Sequence, residues 1–300
     1  MEMITLLAAQ PALMVGAMTV LGLLVGSFLN VVVYRLPIMV EREWRGDCRA
    51  LLDLPDDGSA SEAFDLARPR SRCPHCASPI GALENIPLLS YLVLGGRCRH
   101  CRAAISRRYP LVEATGGLLG GLAAWRFGYA ADADSTLWLL RALAAACYAW
   151  TLVALALIDF DTRYLFDNIT QPLLWAGLAC SFFGLFAPDL GSAVLGAMAG
   201  YLSLWSVYWA FKLVTGKEGM GYGDFKLLAA LGAWLGWQAL PALILLSSVI
   251  GAVVGIGAIV TGLTKRDQPI PFGPFLAAAG LVAMFFDEAL AGLFRSGASL

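Results

Sequence analysis

A succession of long apolar runs is the feature that most constrains the fold of this chain. An α-helix needs roughly 20 apolar residues to cross a hydrocarbon core about 30 Å thick. Charged residues make up only 14% of the chain, against roughly 25% in soluble domains. The pattern predicts an all-α polytopic membrane protein with about eight transmembrane helices. The runs lie at 11–34, 111–128, 137–158, 169–186, 190–214, 227–240, 242–263 and 272–293.

The positions of the basic residues predict the orientation of these spans. If the first span runs from outside to inside, the inner segments are 35–109, 159–168, 212–226 and 262–271. Of the 21 Lys and Arg residues, only Arg126, Arg141 and Arg295 then lie outside the inner segments. This bias matches the positive-inside rule, so we expect the long segment 35–109 to be a cytoplasmic loop. The sixth run is short and glycine-rich, and a tilted or re-entrant segment is an alternative there.

The charges near the N-terminus and the net charge exclude two other interpretations of the chain. Glu2 precedes the first run and no Lys or Arg does, whereas a cleavable signal peptide begins with a positive region. We therefore expect the first run to be a retained span. The net charge of -1 provides no basic field across the whole chain, and we expect no nucleic-acid partner.

Two Cys-x-x-Cys pairs lie within the long loop. Cys73 and Cys76 form the first pair, and Cys98 and Cys101 form the second. Thiolates at this spacing are typical of a zinc ribbon, and four of them close a tetrahedral shell, which makes the zinc structural. Spacing alone does not choose the metal, so a redox dithiol or an iron–sulfur centre remains an alternative.

Carboxylates at the predicted span ends are the second candidate site. Asp159 ends the third span, and Asp224 follows Gly221 and Gly223 just before the sixth. The topology places both acids at one depth on the inner side, and ionisable residues near the membrane are functional candidates. Two adjacent carboxylates share a proton, so one can activate a water while the other protonates a carbonyl or amide. Asp161 and Asp167 are more simply interpreted as helix caps.

Two other functions use the same residues differently. Asp159 and Asp161 form an Asp-x-Asp pair that, with Asp224, could hold Mg²⁺ in a lipid-phosphate transferase. Alternatively, the acids could relay protons in a non-enzymatic transporter or assembly scaffold. Loss of activity with EDTA and recovery with Mg²⁺ would favour the transferase.

Taken together, these motifs resemble the type IV prepilin peptidase family, also called leader peptidase/N-methyltransferase. The resemblance covers nearly the whole chain and includes both Cys pairs, Asp159 and Asp224. The other shared motifs are Gly26-Ser27-Phe28-Leu29-Asn30, Glu84-Asn85-Ile86-Pro87, Gly219 to Lys226, and Pro271-Phe272-Gly273-Pro274. One departure is Leu165-Phe166-Asp167, where members of the family usually have Leu-Pro-Asp after the first acid.

The resemblance implies an inner-membrane, multi-pass aspartic endopeptidase of the Gly-x-Gly-Asp type with a cytoplasm-facing site. It would remove the leader of prepilins and pseudopilins, then methylate the new terminal amine with S-adenosylmethionine. It implies Asp159 and Asp224 as catalytic residues and the four cysteines as zinc ligands. Glu84, Asn85 and Gly96 are our candidates for the S-adenosylmethionine site. Membrane lipid and a homo-oligomer are further expected partners.

The expected domain division follows from the spans and the loop. We expect a first transmembrane helix at 1–34, a cytoplasmic loop with the four-cysteine zinc site at 35–109, and a seven-helix protease core at 110–300.

Overall fold

A computed structural model of the chain describes residues 10–55, 64–128, 135–262 and 270–286. Within these ranges the regular structure is helical, and the only strand-like pairings are two isolated bridges, Arg72 with Pro79 and Arg97 with Ala104. The helices are α1 (Pro11–Leu51), α2 (Leu89–Val93), α3 (Arg108–Phe127), α4 (Ser135–Thr162), α5 (Asp167–Phe182), α6 (Leu190–Thr215), α7 (Tyr222–Leu235), α8 (Leu240–Val260) and α9 (Gly273–Phe285), with 3₁₀ turns at Leu83–Asn85 and Trp237–Ala239. This confirms the all-α class.

Four of the described helical segments are long and apolar enough to cross a membrane. They are Pro11–Leu51, Thr136–Thr162, Leu190–Thr215 and Trp237–Val260. Gly273–Phe285 is a shorter apolar helix. The protein is therefore an all-α membrane protein, and the count of about eight spans stays a prediction.

The described residues up to Trp125 form one compact unit. Its helix α1 has 41 residues and continues beyond the apolar run that ends at Tyr34. Pro11 suits the first helical turn, where its missing N–H has no intrahelical partner to lose. Gly22 of α1 lies directly against the backbone of Gly116 in α3, and Gly26 lies against Glu113. Small residues at these positions let two apolar helices approach closely.

The described residues from Arg126 onward form a second compact unit. Helix α7 packs closely against α6, because Gly196 lies against Gly232 and Gly200 lies against the backbone of Leu228. Gly196 and Gly200 are four residues apart, so they lie on the same face of α6 and let α7 approach closely. Trp234 of α7 donates its indole N–H to the carbonyl oxygen of Leu173 in α5 at 2.7 Å. Helix α7 is consequently in contact with α6 through its backbone and with α5 through Trp234.

The bounds of α7 differ from the sixth apolar run. The helix has 14 residues, begins at Tyr222 and ends at Leu235. Gly236 then adopts a φ of 79°, a left-handed conformation that favours glycine, and the chain enters the 3₁₀ turn before α8. At about 1.5 Å per residue, α7 is roughly 21 Å long, shorter than a hydrocarbon core.

Candidate active site and metal centre

Asp159 lies in the last turn of α4 and its side chain is buried, with 5% of the residue exposed. The backbone N–H of Gly273, the first residue of α9, donates to Asp159 Oδ2 at 3.0 Å. A Cβ at position 273 would lie only 2.6 Å from that oxygen. A glycine at position 273 therefore lets the α9 backbone approach this carboxylate closely.

Asp224 lies in the first turn of α7 and is also buried, with 7% of the residue exposed. Its carboxylate interacts electrostatically with that of Asp159. Leu165, in the turn after α4, fills the space between the elements that carry the two acids. A Cβ at Gly223 would meet Leu165 Cβ at 2.7 Å, and one at Gly273 would meet Leu165 Cδ1 at 3.2 Å. The structure thus brings together the two acids that the sequence singled out.

The turn between α4 and α5 forms without the proline that the family motif usually has. Arg163 adopts a φ of 61°, and its N–H donates to the Asp159 carbonyl oxygen at 2.8 Å, which ends α4. Phe166 is extended and buried, and α5 begins at Asp167. Burial of Phe166 anchors the turn in place of a rigid proline ring.

Asp167 is part of an ion pair rather than a simple cap. Lys226, on the turn of α7 that follows Asp224, donates to both carboxylate oxygens of Asp167 at 2.7 Å. The pair ties the start of α5 to α7 next to the buried acids. Sequence reasoning missed this contact because the two residues are distant along the chain and carry no shared motif.

A second ion pair supports the glycine-rich segment before Asp224. Lys212, near the end of α6, donates to Glu218 Oε1 at 2.8 Å and to the Tyr208 hydroxyl at 3.1 Å. The hydrogen bond from Lys212 holds the pKa of Glu218 below its usual range. Glu218 directly precedes Gly219, so this contact fixes the start of the segment that leads to Asp224.

Asp161 does not join the two buried acids. It is exposed near the end of α4, two residues beyond the buried Asp159, and residues at that spacing point to different faces of a helix. Across the described ranges, the only group of three or more potential ligands within reach of one ion is the cysteine cluster. The three-aspartate Mg²⁺ arrangement is therefore not assembled by this geometry.

The four cysteines Cys73, Cys76, Cys98 and Cys101 converge as the spacing predicts. All four sulfur atoms lie within 4.8 Å of one another, and the Sγ atoms of Cys73 and Cys101 are 3.8 Å apart. Zn–S bonds of about 2.3 Å in a tetrahedron require sulfur separations of about 3.8 Å. The residues therefore fit a tetrahedral metal ion held by thiolates.

The backbone around the two Cys pairs repeats the same fold. In the first knuckle, Cys73 donates its N–H to the Ser78 carbonyl, and Ala77 has a φ of 57°. In the second, Cys98 donates its N–H to the Ala103 carbonyl, and Arg102 has a φ of 60°. A hydrogen bond with the Ser78 hydroxyl is the main cause that lowers the pKa of Cys76 to about 6. A thiolate is the form that binds a metal.

The three residues considered for the methyl donor lie beside these knuckles. Glu84 accepts the Gly81 N–H at 3.1 Å and an N–H of Arg99 at 3.3 Å, contacts that hold its pKa below the usual range. Gly96 has a φ of 66°, and a Cβ there would meet the Tyr91 ring at 2.8 Å. Asn85 is exposed. These local contacts explain the positions of Glu84 and Gly96. A role for Glu84, Asn85 and Gly96 in binding S-adenosylmethionine stays a prediction.

The fold and the site define a helical membrane protein with two interacting, buried aspartates at helix ends and a four-cysteine metal centre. Residues 20–127 match the Bacterial Peptidase A24 N-terminal domain, and residues 146–256 match the Type IV leader peptidase family. The chain belongs to this family, which confirms the resemblance seen in the sequence. No solved structure gives a significant match.

Relatives at high identity carry one name, prepilin leader peptidase/N-methyltransferase. The protein from Stutzerimonas stutzeri is 52% identical over 300 residues, which cover 100% of both chains. The protein from Aeromonas hydrophila is 56% identical over 90% of this chain and 89% of its own length. The protein from Pseudomonas aeruginosa is 52% identical over 96% of each chain. Similarity therefore extends over both compact units.

Proposed function

We propose that this enzyme cleaves the leader peptide from prepilins and pseudopilins and N-methylates the residue that cleavage exposes. The observation that carries the proposal is the pair of buried, interacting carboxylates, Asp159 and Asp224. The names of the relatives support the choice of substrate and both reactions.

In this proposal Asp159 and Asp224 are the catalytic residues and share one proton. The ionised carboxylate removes a proton from a water molecule, and the water oxygen attacks the scissile carbonyl carbon. The protonated acid gives its proton to the carbonyl oxygen. When the C–N bond breaks, the acid that took the proton from water gives it to the leaving amine. A hydroxyl of the tetrahedral intermediate returns its proton to the other carboxylate as the new carboxyl group forms, which restores the starting state of the pair. No covalent intermediate is required.

The Gly273 N–H orients Asp159 in this scheme. A hydrogen bond to one carboxylate oxygen leaves the other oxygen to face water or substrate. Gly223 leaves no side chain between Leu165 and the start of α7, so the turn after α4 can approach Asp224 closely. Together these contacts would keep the carboxylates of the two acids close to each other.

The proposed topology places this site at the cytoplasmic face of the inner membrane. We propose a multi-pass arrangement of about eight spans, with 110–300 as the protease core. A basic leader peptide would stay in the cytoplasm while the apolar segment of the prepilin lies in the bilayer. The scissile bond would then lie at the depth of the two acids.

We propose that Cys73, Cys76, Cys98 and Cys101 hold a structural zinc ion. Four thiolates fill the tetrahedral shell, so the bound ion would stabilise the fold and leave no position for a catalytic water. Methyl transfer would use S-adenosylmethionine as donor, with Glu84, Asn85 and Gly96 as the proposed contacts. Membrane lipid and a second copy of the chain are further proposed partners.

Conservative substitution of the two acids tests the proposal. Asp159→Asn and Asp224→Asn should each abolish leader cleavage while the protein still accumulates in the membrane. Asp161→Asn is the matched control, because it changes an exposed acid on the same helix and should retain cleavage. Full cleavage by either of the first two variants would refute the dyad.

Both activities can be measured in one reaction. Purified enzyme is incubated with a prepilin and labelled S-adenosylmethionine, and the product mass shows loss of the leader and gain of one methyl group. The same assay with EDTA tests the transferase alternative. Loss of leader cleavage that Mg²⁺ restores would contradict a metal-independent dyad.

A further inference from the structure

The segment between the two Cys knuckles exposes several large apolar side chains. Leu83 is 81% exposed, Leu92 is 73% exposed and Val93 is 76% exposed, and Leu89 is more than half exposed. Leu89–Val93 form the short helix α2. Exposed apolar side chains that cluster in this way mark a contact with a protein, a ligand or a membrane.

Hydrogen bonds fix the position of this segment relative to α1 and α3. The backbone N–H of Leu88 donates to Glu113 Oε2 of α3 at 2.8 Å. Glu113 in turn packs against Gly26 of α1, and Asn30 of α1 donates to the Tyr109 carbonyl oxygen at 3.3 Å. Leu88 is therefore held at the level of Gly26 to Asn30 along α1.

That level lies within the apolar run that ends at Tyr34. At about 1.5 Å per residue, Gly26 to Asn30 lie roughly 6–12 Å on the membrane side of Tyr34. The first cation of α1, Arg35, lies beyond the run, and its side chain donates to the carbonyl oxygens of Asp65 and Pro69. Leu88, the residue that directly precedes α2, thus lies level with the apolar run of α1 and not with Arg35.

Arginines follow the apolar segment directly. Arg97, Arg99 and Arg107 are all exposed. Arginine side chains near a membrane surface are attracted to anionic headgroups, and their long stems let the charge reach the phosphate layer. An apolar patch bordered by cations matches the two layers of a bilayer interface.

We propose that the segment 86–94 inserts into the membrane leaflet on the cytoplasmic side. Leu89, Leu92 and Val93 lie among the acyl chains, and Arg97 and Arg107 contact headgroup phosphates. The segment is thus a membrane-embedded part of the predicted cytoplasmic loop. The inference does not depend on the catalytic role of Asp159 and Asp224.

Fluorescence quenching in the full-length protein tests the insertion. A fluorescent non-natural residue replaces Leu92 or, in a second variant, Val93, and each protein is reconstituted into nanodiscs of zwitterionic and anionic phospholipid. Ala104 is the control position, because it is exposed on the second knuckle. The bound metal content of each variant shows that the knuckles have folded.

We expect the probes at positions 92 and 93 to be quenched from the lipid and the probe at position 104 to be quenched from the water. Lipids with a doxyl group on the acyl chain should remove most of the emission at positions 92 and 93, and aqueous iodide should have little effect there. The probe at position 104 should respond to iodide and not to the doxyl lipids. Equal iodide quenching at all three positions would overturn the proposal. Protection of 92 and 93 that arises only after addition of a prepilin would also overturn it, since the apolar patch would then bind substrate.

Discussion

Substitution of Gly273 by alanine tests the role of the α9 backbone in the proposed active site. The new Cβ would lie 2.6 Å from Asp159 Oδ2 and 3.1 Å from Asp159 Cγ, so the carboxylate must move. Movement breaks the 3.0 Å hydrogen bond from the Gly273 N–H. A hydrogen bond to a charged group contributes about 1.5–3 kcal/mol.

The same free energy gives the expected loss of activity. If the bond is needed to hold Asp159 in its reactive position, kcat/KM for leader cleavage should fall by about 10- to 100-fold. The assay is cleavage of a purified prepilin by enzyme in lipid, measured at substrate concentrations below KM. The melting temperature of each variant is measured alongside.

Gly280→Ala is the matched control on the same helix. Its new Cβ would lie 2.6 Å from Leu231 Cδ2, a comparable overpacking that does not touch Asp159. It should lower the melting temperature with little change in kcat/KM. A Gly273→Ala enzyme that folds and cleaves within about twofold of the wild type would refute the positioning argument.

Three further outcomes follow from the contacts described above. Cys98→Ser should lower the metal content and the melting temperature, because bound structural zinc contributes folding free energy; unchanged metal stoichiometry by elemental analysis would argue against the site. Lys212→Met removes the donor to Glu218, and since the Glu218 side chain is largely exposed, kcat should fall by no more than about fivefold; a much larger loss would show a direct role for Lys212. Gly196→Ala places a Cβ against the Gly232 backbone and should destabilise the fold by about 1–3 kcal/mol. The control Gly257→Ala has no neighbour within 4 Å of the new Cβ and should be neutral in thermal denaturation. Equal melting temperatures for the Gly196→Ala and Gly257→Ala variants would contradict the α6–α7 packing.

The apolar runs predicted where the helices lie better than where they end. The third run, 137–158, falls within α4 and the fifth, 190–214, within α6. Helix α1 extends past Tyr34 to Leu51 and includes Pro37. Glu41, Arg42, Glu43 and Arg45 in this extension are good helix formers even though they are not apolar. Hydropathy reports transfer into lipid and not helix propensity, so it could not place that end.

Local sequence patterns were sufficient to identify some residues of the candidate sites. The spacing of Cys73, Cys76, Cys98 and Cys101 determined the four-thiol cluster, because a two-residue gap lets one turn present both sulfurs. The position of Asp159 and Asp224 at the predicted span ends marked them as functional candidates, because a carboxylate that faces lipid is costly and ionisable residues in membrane segments are commonly functional.

The amino-acid sequence by itself determined the helical membrane class, the cysteine cluster and the two acids, because periodicity, composition and short spacings act within a few residues. Tertiary structure alone decided that the Gly273 N–H reaches Asp159, that Lys226 pairs with Asp167, and that Leu88 is held by Glu113. Each of these contacts joins residues far apart along the chain. Its geometry depends on how whole helices pack, and no local pattern encodes that packing.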